Sequence, residues 1–308
     1  MRISADLQAA ERRRVDGRIL HTPQVGPSNP NGDAAVTKSP LPGTKTLLLG
    51  APGTGKTHVI RTLIQAGLHP LCVFTENSFD VLGDVPSDKL SWVYVPPSRE
   101  GLSDLRKQVS DIGSKTFEAL TKSYDPERGK DAPFDKILTN MMDFSDERTA
   151  RKFGNISTWG TGVCFIIDSL SGLSKASWQN VAGTRVAMSP PDYMLAQRQI
   201  ENLINQLCMT FRCHVVVTAH ADREVDPVFG GSKIMPSLPG KALAPVIGRY
   251  FTDVILTKWN GKDYVWDTAD PAAELKARNL PRKADQPASF VPLIEAWKKR
   301  GGIIEPLT

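Results

Sequence analysis

The 308-residue chain carries 38 Lys/Arg against 33 Asp/Glu, a formal net charge of +5, and 40% of its residues are hydrophobic. That is enough apolar material for one large α/β domain or two small ones, and no run of about eighteen apolar residues exists to span a membrane. The surplus charge sits at the ends: residues 1–45 hold seven basic against four acidic side chains, residues 270–308 seven against five, and the stretch between balances. An excess of this size is compatible with nucleic-acid contact and does not demand it.

Met1-Arg2-Ile3-Ser4-Ala5-Asp6 lacks the apolar core of a signal peptide, which predicts a cytoplasmic protein. A charged helix is expected from Ala5 to Ile19, carrying Arg12-Arg13-Arg14 as a solvated face or a binding element. From Thr22-Pro23 to Pro42-Gly43 the chain is rich in Pro, Gly, Asn and Ser and reads as a linker. Residues 1–43 are thus a basic arm and linker.

The strand Lys45–Leu49 runs into Gly50-Ala51-Pro52-Gly53-Thr54-Gly55-Lys56-Thr57-His58. A helical pattern follows, with Val59, Ile60, Leu63 and Ile64 on its apolar side and Gly67 at its end. Strand, glycine loop and helix N-terminus together form a phosphate loop, G-x-x-x-x-G-K-[ST]. The glycines turn backbone N–H groups inward at a polyphosphate, and the helix dipole adds positive potential there. Lys56 reaches the β- and γ-phosphates, and the Thr57 hydroxyl is placed to ligate Mg²⁺. The loop therefore predicts a bound nucleoside triphosphate, with ATP and Mg²⁺ the expected cofactors and the choice among nucleotides left open.

A second strand, Leu71–Thr75, ends at Glu76, and a third, Trp92–Val95, is cut off by Pro96-Pro97. Strands alternating with helices predict a mostly parallel sheet. Residues 98–158 read mainly as helices, a helical insertion on the core. Leu102, Leu105, Val109 and Ile112 stripe one segment, Phe117 and Leu120 continue the spacing, Asp125–Gly129 is a turn, and another helix runs from Phe134 to Phe153. The strand Gly162–Ile167 ends in Asp168 and is followed by a predicted loop, Ser171–Pro191, and a helix, Tyr193–Phe211. Strand His214–Thr218 ends at Ala219-His220, and a second loop, Asp222–Pro245, follows it. Phe251–Thr257 and Asp263–Asp267 flank Asn260-Gly261, which predicts a hairpin with a type I′ turn. Leu275–Pro281 and a short helix, Ala288–Arg300, close the chain. The core then covers residues 44–270, with 271–308 as a C-terminal segment. Cys72, Cys164, Cys208 and Cys213 lack paired metal-ligand spacing and read as structural thiols.

A triphosphatase needs a carboxylate for the metal and another to orient water. Asp168 ends the most apolar strand, where a Mg²⁺-associated aspartate belongs. Ser169 follows it, where AAA+ ATPases usually carry the water-polarising glutamate. RecA-like enzymes instead place that glutamate at the end of the strand after the phosphate-loop helix, and Glu76 stands there; otherwise it is an exposed loop carboxylate. Thr218 and His220 end the strand expected beside Asp168, where a polar group senses the γ-phosphate or simply completes a structural hydrogen bond.

The set Gly50–Thr57, Glu76, Phe165–Ser169, Val216–His220 and Leu275–Pro281 resembles the phage-encoded RecA-like nucleotide-binding proteins, the Sak-type single-strand annealing ATPases, relatives of RecA, RadA, KaiC and DnaB-type helicases. The resemblance covers roughly residues 44–283. It implies a RecA-like P-loop core of mostly parallel sheet flanked by helices, with a C-terminal antiparallel hairpin. It implies that Lys276 and Arg278, a Lys-x-Arg pair, project into the neighbouring subunit's nucleotide, unless they are a solvated basic turn. The loops after Asp168 and His220 would face the axis of a homo-oligomeric ring or filament and contact single-stranded DNA, with Arg223, Lys233 and Lys241 meeting phosphates. A single-strand-binding protein is a further implied partner, and no Phe-x-x-Ala docking motif is evident in the arm. The function implied is ATP-dependent annealing or recombination. A DnaB-like helicase or loader, a P-loop small-molecule kinase and a non-hydrolysing scaffold are the alternatives.

Overall fold

The computed structural model describes residues 41–97, 101–116, 118–119, 132–183, 185, 188–225, 231–240 and 242–307. The predicted arm helix with its arginines, the Asp125–Gly129 turn, Phe117, Leu120 and Lys241 lie outside them. The first half of the chain gives β1 (Lys45–Gly50), α1 (Arg61–Gln65), β2 (His69–Phe74), β3 (Ser91–Tyr94), α2 (Leu102–Ser114) and α3 (Pro133–Met142). Then come β4 (Phe144–Ser145), β5 (Lys152–Gly154), β6 (Val163–Asp168), α4 (Leu170–Ala182) and α5 (Pro190–Met209). The last part supplies β7 (His214–Val225), β8 (Ser232–Pro236), β9 (Asp253–Trp259), β10 (Tyr264–Asp267), β11 (Lys276–Ala277), β12 (Gln286–Pro287) and α6 (Val291–Lys299).

The main sheet has the order β12-β10-β9-β1-β7-β6-β2-β3. Its six central strands, β9 to β3 in that order, run parallel, and β10 and β12 continue it antiparallel. This is the P-loop core anticipated, mostly parallel with helices on both faces and a hairpin at one edge. The apolar strands bury both faces, which is why they read as continuous hydrophobic runs. Leu47, Leu49, Val73, Phe165, Ile167, Val217 and Val254 pack on the side of α3, α4 and α5. Leu48, Phe74, Ile166, Val216 and Ile255 pack with Ile60 and Leu63 against the α6 side. Residues 271–307 belong to this same unit, because Phe290, Leu293, Ile294 and Trp297 complete the second core and Trp297 Nε1 donates to Pro42 O at 2.9 Å.

Four local expectations are corrected. The predicted loop after Asp168 is helix α4: Ser169 caps it by accepting the Gly172 N–H, and Leu170, Leu173, Ala176 and Ser177 are buried. Its Ser/Gly content, unfavourable to an isolated helix, serves close packing, since a Cβ on Gly172 would fall 2.1 Å from Thr75 Oγ1. The helix expected from Phe134 to Phe153 stops at Met142, and β4 and β5 pair antiparallel behind it. The predicted loop after His220 is in part a ribbon, because β7 continues to Val225 and pairs antiparallel with β8. The hairpin after β9 exists, but Asn260 N donates to Asp263 O at 3.2 Å across Gly261-Lys262, and only Gly261 has a positive φ (98°). Asn260 Oδ1 accepts the Lys262 and Asp263 amides, and that local bonding moves the turn one residue on.

Helix α2 forms as the spacing predicts, yet Leu102, Leu105, Val109 and Ile112 are all exposed on it. The four cysteines are free thiols, and burial raises the pKa of each, so none is a thiolate at neutral pH. No helix among the described residues is long and apolar enough to cross a membrane.

His214 is buried at the start of β7, where its Nδ1 accepts the Thr44 N–H at 3.0 Å and its ring meets Trp297 edge-on at 4.6 Å. Burial, aided by the Lys45 charge, lowers its pKa to about 3. The native state keeps this ring neutral, whereas the unfolded chain protonates it near its ordinary value of about 6.5. Its contribution is fully present above that value and declines as pH falls, by about 1.4 kcal/mol per pH unit between roughly 6.5 and the folded pKa. Urea unfolding midpoints measured at pH 7, 6 and 5 should therefore fall, and His214→Gln should flatten the decline.

Candidate active site

The register brings the expected residues to one edge of the sheet. Gly50 pairs with His220, Thr218 lies two residues earlier on β7, and Asp168 pairs with Phe74, just ahead of Glu76. The carboxyl ends of β1, β6 and β2 thus converge with the middle of β7, at the edge of the parallel sheet where ligands usually bind.

The loop leaves β1 at Gly50 and enters a 3-10 turn, His58–Ile60, that continues into α1. Gly53 and Gly55 have φ of 76° and 83°, which a side chain would strain. Gly55 is also boxed in, since a Cβ there would lie 2.6 Å from the Tyr264 ring. Thr54 Oγ1 lies 2.7 Å from Thr257 Oγ1 on β9 and donates to Ala51 O, which ties the loop to the neighbouring strand. Lys56 is buried, its Nζ donating to Gly50 O at 2.9 Å and Ala51 O at 2.8 Å. Burial lowers its pKa, and the fields of Asp168 and Glu76 oppose that shift.

Asp168 is 2% exposed and accepts from three hydroxyls. Thr57 Oγ1 donates to its Oδ2 at 2.6 Å, Ser78 Oγ donates to the same oxygen at 3.4 Å, and Thr218 Oγ1 donates to Oδ1. Burial raises its pKa, and the Thr218 and Thr57 bonds hold it down. A hydroxyl and a buried carboxylate in contact form a hard oxygen donor pair of the kind Mg²⁺ takes together with phosphate oxygens and water. Thr57 and Asp168 therefore fit the ion the sequence implied.

Glu76 stands one strand beyond Asp168, half-buried, with Ser169 Oγ donating to Oε1 and His220 Nε2 donating to Oε2 at 3.0 Å. Ser169 itself is pinned: its N–H donates to Thr75 Oγ1 at 2.9 Å, and that hydroxyl donates to Ser169 O at 3.0 Å. A carboxylate fixed by two donors at the rim of the loop can accept a proton from water. Ser78 and Ser169 were not singled out as contacts. The signal was the Ser/Thr clustering at strand ends, which acquires meaning only when the strand order is known.

Lys276 and Arg278 are not part of this constellation in their own chain. Lys276 pairs with Val254, which pairs with Leu47, so it sits three residues, about 10 Å, back from the loop and on the far side of β9. Its Nζ donates to Gly248, Arg249 and Phe251 carbonyls at 2.9–3.1 Å. Arg278 is exposed, and Arg300 Nη1 donates to its carbonyl oxygen. Arg223 and Lys233 both lie on the β7–β8 ribbon but on opposite faces: Arg223 is opposite Ile234, and Lys233 is opposite Glu224. Lys233 Nζ lies 3.8 Å from Glu274.

Gly55→Ala tests the tightness of the loop. The added methyl meets both a positive φ and the Tyr264 ring, so nucleotide affinity should drop at least about tenfold while the fold, read by circular dichroism, persists.

A comparison with curated proteins found no match for the chain. Among solved structures, the RadB recombinase is similar at 14% identity and a TM-score of 0.33, over 74% of this chain and 81% of that one. The flagellar accessory protein FlaH from Methanocaldococcus jannaschii is similar at 13% identity and a TM-score of 0.32, over 80% of this chain and 84% of its own. A family model described as an AAA domain matches residues 43–279. The family's description is the one that the serine after Asp168 argued against; Glu76 lies two residues beyond the end of β2, its Oε1 accepting from Ser169 Oγ. From the strand before the phosphate loop to Asn279, this chain belongs to that AAA-domain family.

Proposed function

We propose that the protein is a Mg²⁺-dependent, RecA-like ATPase that assembles on single-stranded DNA and promotes annealing or recombination. The observation that carries the catalytic part is the pair of carboxylates over one phosphate loop: Asp168 against Thr57, and Glu76 held by His220 and Ser169. In this reading the loop amides and Lys56 bind the phosphates. Mg²⁺, held by Thr57 and Asp168, would neutralise phosphate charge. Glu76 orients the attacking water, and His220 fixes its carboxylate. Thr218, His220 and then Arg223 follow one another on β7, so the strand that bonds Glu76 is also the one that enters the ribbon.

Lys276 and Arg278 would act in trans. Their distance from their own loop supports this, since a cation that stabilises the transferring γ-phosphoryl must reach it directly. Hydrolysis then depends on assembly. DNA contact is assigned to the ribbon and to Lys241, through phosphates rather than base edges.

Glu76→Gln should keep ATP binding and cut turnover by about a hundredfold or more, measured as phosphate release at saturating ATP. Equal turnover in wild type and variant would remove Glu76 from the mechanism. Mixing provides the test of the shared site. Lys56→Ala and Arg278→Ala, each inactive alone, should regain ATPase activity together, because some interfaces then pair an intact loop with an intact finger. No recovery at any mixing ratio would exclude a trans-acting Arg278. Arg223→Ala should weaken binding of a single-stranded oligonucleotide and lower the salt slope by about 0.7, the release of roughly one phosphate contact.

A further inference from the structure

The segment that carries Arg278 is tied down by a buried carboxylate that the chemistry above does not use. Asp253, the first residue of β9, is fully buried and pairs with Ala277 of β11 on one side and Thr46 of β1 on the other. Its Oδ1 accepts the Asn279 N–H at 2.8 Å, and its Oδ2 accepts the Asn279 side-chain amide. Among the described residues it forms no ion pair, and Lys276 gives its Nζ hydrogens to the Gly248, Arg249 and Phe251 carbonyls instead. A buried carboxylate without a cation is costly, and here only hydrogen bonds offset the cost.

Asn279 is 4% exposed, and its Oδ1 has no hydrogen-bond partner among the described residues. A buried polar pair with one acceptor orphaned adds little stability that two apolar side chains would not match. What it does add is a fixed geometry, on both sides of Arg278. Ala277 lies in the β9 ladder, Asn279 is bound through its N–H and its side chain, and Arg300 Nη1 donates to the Arg278 carbonyl at 2.8 Å. The Arg278 side chain, by contrast, is exposed, and its guanidinium has no hydrogen-bond or ion-pair partner among the described residues. A fixed backbone with a free cation at its tip is preorganised for a target outside its own chain.

We infer that Asp253 and Asn279 are positioning residues for the shared site, holding residues 276–279 so that Arg278 meets the phosphates bound by a neighbouring subunit. The inference rests on the reading of Arg278 as a trans-acting cation and adds what aims it. Aim matters because a displacement of about 1 Å at a reacting group can cost about a hundredfold in rate.

ATPase kinetics, calorimetric ATP titration and subunit mixing test this role. Asn279→Ala and Asp253→Asn should each lower kcat about a hundredfold and leave ATP affinity as in the wild type. Mixed with Lys56→Ala, Asn279→Ala should regain activity, because its own loop is intact and its partner supplies a well-aimed arginine. Mixed with Arg278→Ala it should regain none, since neither subunit then presents one. A merely structural role gives a different pattern. Strand β9 also reaches its own phosphate loop, through Thr257 and Thr54, so general loosening of that strand would lower ATP affinity in the same chain. Lost ATP binding, recovery with Arg278→Ala rather than Lys56→Ala, or unchanged kcat in both variants would each overturn the inference. Failure of both variants to fold would overturn it too, because the pair would then hold the fold and not the arginine. No recovery between Lys56→Ala and Arg278→Ala themselves would instead sink the trans reading, and the positioning role with it.

Discussion

A carboxylate taken out of water costs several kcal/mol unless its oxygens are satisfied, and Asp168 is almost wholly buried. Its acceptor positions are filled by hydroxyls from three other parts of the chain: the phosphate loop, β7 and the segment after β2. The position of each of those segments is therefore set by a single anion. Thr57 fixes where the loop turns into helix, Thr218 fixes the height of β7, and Ser78 holds the turn that carries Glu76. Thr75 and Ser169 repeat the device one step along, exchanging two hydrogen bonds across β2 and β6. The result is a site pre-assembled by its own hydrogen bonds.

That arrangement gives the site a direction. The loop strand lies between the carboxylate strands on one side and the hairpin on the other. The loop glycines are needed for different reasons along it. Gly53 and Gly55 carry left-handed φ values, and Gly55 also lets the Tyr264 ring approach to contact. Gly50 is constrained differently, since a Cβ there would fall 2.1 Å from Thr257 Oγ1. Loop, strand β9 and hairpin are therefore one packed object.

The loop, Asp168 and Glu76 were legible in the sequence because each is a local pattern: a strand ending in glycines, or an apolar run ending in an acid. Continuous apolar runs likewise marked the central strands to within a residue or two, except at the far end of β7, which runs on to Val225. What the sequence concealed depends on contacts made across the fold. Residues 170–182 look like a loop because Ser and Gly disfavour an isolated helix, but packing against Thr75 and the core outweighs that preference. The β7–β8 ribbon was hidden because Asp222-Arg223-Glu224 on its β7 side are polar and exposed, without the hydrophobic alternation that marks a strand. Tyr264 was hidden for a third reason. It sits in a hairpin far along the chain, and only the pairing of β9 with β1 brings it to the loop.

The ribbon bears on how such a protein would hold DNA. Its two described cations do not form one basic surface: Arg223 and Lys233 face opposite ways, and Lys233 has Glu224 across from it and Glu274 nearby. Among the described residues, the ribbon of a single subunit therefore offers few phosphate contacts, and each contact with a polyanion is worth little at physiological salt. On the proposed reading, useful affinity must come from several ribbons engaging one strand, where effective concentration multiplies weak contacts. A trans-acting Lys276 and Arg278 impose the same requirement on hydrolysis. Both activities would then be weak in the free subunit for the same physical reason, and assembly along a DNA strand would switch on the two together.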